Sequence, residues 1–363
     1  MVDRVYNFSP GPATLPYEVL QKTGRDVVNF QETGIGLIEI SHRSKEFMAV
    51  VDETENNLRQ LLNIPDNYRV LFLQGGASSQ FFMIPMNLLG GGKKATYLNT
   101  GTWAKKAIKE AELFGDIEVP FSSEKGSFNR VPEDGEFDMA EDSQYLYFVS
   151  NNTIYGTQFS TFPEKEKMLV CDMSSDILSR PIDIEKFGLI FAGAQKNLGP
   201  AGVTIVIVRE DLLDRAPAST PTMLSYKTHA EKGSMFNTPP CFAIYVVGEV
   251  LKWLKKQGGV EAIEKRNREK ANLLYEAIDV DDYYRGHAEK GSRSLMNISF
   301  NLPSAELEGK FINQAAALGL NGLKGHRSIG GCRASIYNAF PLEGVEKLVA
   351  FMAKFKDENP VQG

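Results

Sequence analysis

Two residues of this chain have the types and the placement that carbonyl chemistry needs. Lys196 lies within Gly188-Leu-Ile-Phe-Ala-Gly-Ala-Gln-Lys-Asn-Leu-Gly-Pro-Ala-Gly202. A buried-looking apolar run thus delivers Gln195 and Lys196 to the carboxyl end of a strand, where open α/β sheets place their ligands. Small neighbours leave room for a planar ring, and partial burial lowers the pKa of an amine and makes it nucleophilic. Asp172 follows Met168-Leu-Val-Cys171 and stands 24 residues before Lys196. Each has an ordinary explanation when taken alone, since lysines mark where strands reach water and aspartates after strands form turns or cap helices. As a pair they match the needs of pyridoxal phosphate, a lysine for its aldehyde and a carboxylate for its pyridinium nitrogen. A buried charge-assisted hydrogen bond from such a carboxylate keeps the ring protonated, and the protonated ring absorbs carbanion charge.

Other segments could hold anions or a ring. Gln74-Gly-Gly-Ala-Ser-Ser-Gln80 sits between a strand and a helical pattern, where free N–H groups favour phosphate and Ser78 and Ser79 could add hydroxyl donors. An ordinary strand-to-helix turn has the same composition. Trp103 in Asn99-Thr-Gly-Thr-Trp103 could stack on a ring face or serve as core, whereas Trp253 reads as core. Two cationic clusters, Ser41-His-Arg-Ser-Lys45 and Lys324-Gly-His-Arg-Ser-Ile-Gly-Gly-Cys-Arg333, offer Arg43, Arg327 and Arg333 as planar clamps for carboxylate or phosphate, or else as solvated surface charge.

The elements that must position these groups follow an α/β pattern. Apolar runs at Arg69–Leu73, Thr96–Leu98, Tyr145–Val149, Lys167–Cys171, Leu189–Ala192 and Val203–Val208 are continuous, as in strands buried on both faces of a mostly parallel sheet. The roughly ten residues between the last two carry no helical pattern and predict one antiparallel neighbour. Helical spacing marks Glu46–Leu62 with Ser44 as N-cap, Cys241–Lys256 after Pro239-Pro240, Glu261–Ile278, Ala305–Leu318 and a last helix carrying Val345, Leu348, Val349, Met352 and Phe355. Ser294–Leu302 and Ala334–Ile336 read as strands of a smaller α+β unit, with a boundary near Gly258.

Composition narrows the classes. The chain has 363 residues, 42% hydrophobic and 24% charged, enough for two domains with large cores. Its net charge, 40 − 46 = −6, argues against a polyanion binder. Three scattered cysteines (Cys171, Cys241, Cys332) give no disulfide framework, and four histidines without an HExxH give no support for a metal site. The start shows no signal-peptide pattern, and no run is apolar enough to span a bilayer, so the expected location is the cytoplasm. Neither GxGxxG after a strand nor GxxxxGK[ST] occurs, which disfavours the standard dinucleotide and nucleotide cradles.

The runs Asn7-Phe-Ser-Pro-Gly-Pro-Ala13, Ser41–Lys45, Gly75-Gly-Ala77, Ala192–Gly202, Gly233-Ser-Met-Phe-Asn-Thr-Pro-Pro240 and Gly325–Tyr337 occur in the order found in one family. Over nearly its whole length the chain resembles the phosphoserine aminotransferases, fold-type I pyridoxal-phosphate enzymes. That resemblance implies a large cofactor domain over 16–259, with a mostly parallel seven-stranded sheet, and a small α+β domain from 1–15 and 260–363. It implies Lys196 as the Schiff-base lysine, Asp172 on the pyridine nitrogen, Trp103 stacked and Thr153 near the ring. Gly76, Ala77 and Gln195 would hold the cofactor phosphate, with Asn237 and Thr238 reaching it from the other subunit of a homodimer. Arg43 and Arg333 would meet the substrate carboxylate, and His42, His326 and Arg327 the substrate phosphate. The implied reaction converts 3-phosphohydroxypyruvate and L-glutamate to O-phosphoserine and 2-oxoglutarate in serine biosynthesis. A related four-carbon phospho-oxo acid of vitamin B6 synthesis stays open as a second substrate. The stretch Phe121–Ser143 matches the family poorly and looks shortened.

Rival readings are weaker. A cysteine desulfurase needs a mobile nucleophilic cysteine, which none of the three resembles. A non-enzymatic phosphometabolite binder has no use for both Lys196 and Asp172, and an NTP-dependent transferase lacks its phosphate-binding lysine.

Overall fold

The computed structural model describes residues 4–90, 92–165 and 167–360. The termini of the expected small domain, 1–3 and 361–363, lie outside the described residues. Seven strands form the central sheet: β1 (Tyr68–Leu73), β2 (Lys94–Asn99), β3 (Asp116–Ser122), β4 (Ser143–Val149), β5 (Leu169–Asp172), β6 (Phe187–Gly193) and β7 (Thr204–Arg209). Their spatial order is β1-β7-β6-β5-β4-β2-β3. Only β7 runs against its neighbours, pairing antiparallel with both β6 and β1, as the short β6–β7 link predicts. Every residue of β5 and β6 is buried, which explains why these strands read as unbroken apolar runs.

Strand β3 has no counterpart among the apolar runs. It lies at the sheet edge, and its sequence, Asp-Ile-Glu-Val-Pro-Phe-Ser, is largely exposed. Charge and proline suit an edge strand and hide it from a search for continuous apolar stretches.

Helices cover both faces. Gly76–Leu88 and Thr102–Ala111 lie on one side with Phe81, Ile84, Ala104 and Ala107 inward. On the other, Lys45–Leu62 packs against Cys241–Lys256. Ser44 caps the first of this pair, accepting from the Phe47 N–H at 3.2 Å. At their crossing a Cβ on Gly248 would stand 2.4 Å from Thr54 Oγ1, which is itself tied to the Val50 carbonyl at 2.7 Å.

A second apolar core joins the helices Gly259–Ile278, Ala305–Ala317 and Leu342–Glu358 to a three-stranded antiparallel sheet that includes Asn297–Asn301 and Cys332–Ser335. The amino-terminal segment belongs to this unit, because Tyr6–Asn7 pairs in parallel with Leu320–Asn321 and Phe8 lies in its core. From there the chain passes over the sheet's carboxyl edge.

Gly248→Val adds bulk where neither helix can yield, and overpacking of this kind costs about 1–3 kcal/mol. Thermal unfolding of the variant is expected to shift down by about 2–6 °C with its secondary structure unchanged; an unshifted midpoint would mean the helix pair is looser than described.

Candidate active site

The carboxyl ends of β4, β5 and β6 converge at one place. After β6 the backbone turns sharply, with the N–H groups of Lys196 and Gly199 both donating to the Ala194 carbonyl at 2.8 Å. This turn presents Lys196 upward, while Gly11 lies over it: a Cβ there would be 3.4 Å from Lys196 Cγ, and Ala13 N–H donates to the Gln195 carbonyl at 2.9 Å. Lys196 Nζ donates to Thr153 Oγ1 at 2.6 Å. Thr153 follows β4 in a tight loop closed by Gly156, whose φ of +70° and proximity to the Asn297 carbonyl leave no room for a side chain.

Burial decides the charge state here. Desolvation lowers the Lys196 amine from its usual 10.5 to about 8, with Arg333 adding to the shift and the carboxylates Asp172 and Asp176 opposing it. At neutral pH the uncharged fraction is then about one in ten, against about three in ten thousand for an unshifted lysine.

The two buried aspartates beneath it differ in what holds them. Ser150 and Gln158 engage both oxygens of Asp176, and Arg180 stands 3.9 Å away. Among the described residues Asp172 is held only by Ser174, whose N–H donates to Oδ1 at 2.9 Å. Desolvation raises the pKa of both, offset at Asp172 by Ser174 and then by the Lys196 charge. Asp172 is therefore the carboxylate with hydrogen-bonding capacity left for a cationic ring nitrogen.

Arg333 completes the centre. Its side chain is buried, Nη1 donates to the Thr153 carbonyl at 3.3 Å, and Nε has no partner. No acidic residue pairs with it among the described residues. A buried guanidinium without an anion is costly, so this arrangement favours an incoming carboxylate.

Gly75 and Gly76 adopt φ of +92° and +66° at the start of the helix Gly76–Leu88, and no side chain caps its first N–H groups, those of Ala77 among them. Such an end binds phosphate. The Ser79 hydroxyl is spent on the Gly75 carbonyl at 3.0 Å, so only Ser78 keeps the donor role expected of both. Gln195 folds back over Gly193, where a Cβ would lie 2.7 Å from its Oε1. Trp103 is half-buried, and its indole N–H is buried without a partner. These residues suit a phosphorylated planar ring, for which they would supply an amine, a carboxylate with spare capacity and an uncapped helix end.

Some expected residues stand elsewhere within the single chain. Asn237 Nδ2 donates to Gln74 Oε1 at 3.2 Å, and Gln74 Nε2 donates to the Thr238 carbonyl at 3.0 Å, so both lie beside Gln74 with no bond to the Lys196 centre. Arg43 is exposed, and His42 Nε2 is buried without a partner. His326 and Arg327 occupy a turn beside Arg333, closed by Gly330 N–H donating to the His326 carbonyl at 2.9 Å.

Several positioning groups escape a reading of sequence. Asn297 donates to Ser335 Oγ at 2.9 Å and to Tyr337 OH at 3.1 Å, and the Tyr337 hydroxyl donates to the Pro10 carbonyl at 2.7 Å. Lys270, wholly buried, donates to the carbonyls of Ile336, Tyr337 and Phe340, which fixes the segment after Arg333. Nothing in local sequence separates these from ordinary polar residues; only their convergence does.

Comparison with known proteins places the chain in a family. The family profile for aminotransferase class-V matches residues 5–348. A phosphoserine aminotransferase of Desulfotalea psychrophila is 74% identical over 360 residues, 99% of this chain and 100% of its own. The solved phosphoserine aminotransferase from Bacillus circulans subsp. alkalophilus superposes with a TM-score of 0.96 at 52% identity, covering 98% of this chain and 99% of its own. A pyridoxal-phosphate-bound phosphoserine aminotransferase from Trichomonas vaginalis gives a TM-score of 0.92 at 40% identity over 96% of this chain and 100% of its own. The chain therefore belongs to the class-V aminotransferases and, within them, to the phosphoserine aminotransferases, pyridoxal-phosphate-dependent transferases of fold type I.

Proposed function

We propose that the protein transfers the amino group of L-glutamate to 3-phosphohydroxypyruvate, giving 2-oxoglutarate and O-phospho-L-serine for serine biosynthesis. The observation that carries this reading is the buried Arg333 without an acidic partner, beside a desolvated Lys196 and an incompletely bonded Asp172. Pyridoxal phosphate, when bound, supplies the aldehyde and the electron-accepting ring. Lys196 Nζ would hold it, and the same amine would move a proton to and from the substrate Cα, a task suited to a pKa near 8. Asp172 holds the proton on the ring nitrogen. Thr153 orients the amine, and Trp103 covers the ring face. Gly76, Ala77 and Gln195 take the cofactor phosphate, Arg333 and Arg43 the substrate carboxylate, and His326, Arg327 and His42 the substrate phosphate.

The same reading makes the protein a homodimer with shared sites. Asn237 and Thr238 lie away from their own Lys196, and near them in sequence Phe236 and Phe242 are exposed. Close to His42 and Arg43, Val28 is 77% and Ile38 67% exposed. Apolar surface flanking two sets of polar groups suits a two-fold interface that hands each set to the partner's site. No helix among the described residues is long and apolar enough to cross a membrane, in keeping with work in the cytoplasm. The division into 16–259 and a small domain of 1–15 with 260–363 follows from the same reading, supported by the amino-terminal strand joining the second core.

Incubation of the cofactor-loaded protein with L-glutamate and 3-phosphohydroxypyruvate is expected to yield O-phosphoserine; loaded protein that forms none overturns the reading. Arg327→Ala is expected to lower kcat/KM for the phosphorylated oxo acid about tenfold or more, the loss of one charge-assisted contact, with a smaller loss for glutamate. Equal losses for both would remove Arg327 from the phosphate site. In the cofactor-free protein, acylation of Lys196 followed by peptide mass spectrometry should rise with pH to a midpoint near 8, since only the neutral amine reacts. A midpoint above 10 would contradict its desolvation.

A further inference from the structure

Lys106 belongs to none of the groups assigned so far. It lies on the helix Thr102–Ala111, three residues after Trp103, and its ammonium sits 4.6 Å from the centre of the Trp103 ring. Trp103 and Ile329 pack against the same cluster of Phe128, Ile154 and Tyr155, so this end of the helix faces the turn that carries His326 and Arg327. We propose that Lys106 is a further specificity-determining residue, a cation that stands with Arg327 in the subsite that receives the substrate's phosphate. The inference rests on the function proposed above.

Charge balance carries the argument. Desolvation lowers the pKa of His326, and the charges of Arg333, Arg327 and Lys106 lower it further. Three cations therefore converge on one imidazole. None of the three has an acidic partner among the described residues, whereas the neighbouring Lys105 is tied to Glu124 at 2.6 Å. Like charges gathered without a counterion repel, and a substrate with its phosphate between Arg327 and Lys106 and its carboxylate on Arg333 relieves that repulsion. His326 supplies a hydrogen bond instead of a charge: its Nδ1 accepts from the Ser328 N–H at 3.2 Å, which leaves the proton of the neutral ring on Nε2. The Trp103 ring face holds the ammonium in place by cation–π attraction without neutralising it.

The test uses the holoenzyme and three forms, wild type, Lys106→Met and Lys106→Arg. Two quantities are read: the steady-state constants for 3-phosphohydroxypyruvate, and the Kd of inorganic phosphate from tryptophan fluorescence. Lys106 is exposed, so Met is expected to leave the melting temperature and the cofactor absorbance unchanged. The expected result for Met is a rise of about fivefold in both KM and phosphate Kd, the range of a partly exposed ion contact, with kcat within about twofold. Arg should restore both constants to within about twofold of wild type. Unchanged KM and Kd in Met, a fall in kcat alone, or failure of Arg to restore them would overturn the proposal. If wild type does not turn over 3-phosphohydroxypyruvate, the proposed function fails. The phosphate Kd of Met against wild type still decides whether Lys106 contributes to an anion site.

Discussion

Everything at this site depends on placing like charges in a space that water barely reaches. Arg333 is buried and Lys196 half-buried, and the repulsion between these two poorly solvated cations helps pull the lysine towards neutrality. Asp172 limits that effect without cancelling it, because its carboxylate is itself raised by burial. The result is an amine near 8 and a guanidinium that still lacks an anion. One field thus suits both a nucleophilic amine and the binding of an acidic ligand.

The fold maintains this tension from three directions. Strands β5 and β6, buried on both faces, fix Asp172 and the lysine turn in neighbouring rows of the sheet. The amino-terminal segment lies over the lysine turn through Gly11 and Ala13. The small unit delivers Arg333 on a strand whose continuation is held by Lys270 and Tyr337. Tyr337 ties the amino-terminal segment to this unit through Pro10, and the Arg333–Thr153 bond runs between units, so a displacement of the small unit would separate the guanidinium from the amine.

Much of this was legible in the sequence because burial leaves a simple trace. Unbroken apolar runs marked six of the seven sheet strands, and the ten-residue link before Val203 foretold the antiparallel one. The lysine and aspartate stood out because each ends such a run. The seventh strand did not, since Asp116, Glu118 and Pro120 at a sheet edge carry no continuous apolar signal. Asp176 lies as deep as Asp172, and the structure shows that Ser150 and Gln158 consume it. Lys106 adjoins Lys105 in one helix and has the same residue type; the difference is Glu124, 19 residues from Lys105, which pairs with only one of them. The structure gives Asn237, Thr238, His42 and Arg43 no bond to Lys196, and the proposed roles of Asn237 and Thr238, which the resemblance assigns to a neighbouring subunit, would need a second chain.

The central claim, that a desolvated Lys196 is the amine that captures the cofactor, is tested most directly by locating the covalent attachment. The purified cofactor-loaded protein would be reduced with borohydride, digested and mapped by mass spectrometry. The account predicts the reduced pyridoxyl group on the peptide containing Lys196. Its appearance on another lysine, with Lys196 unmodified, would contradict it.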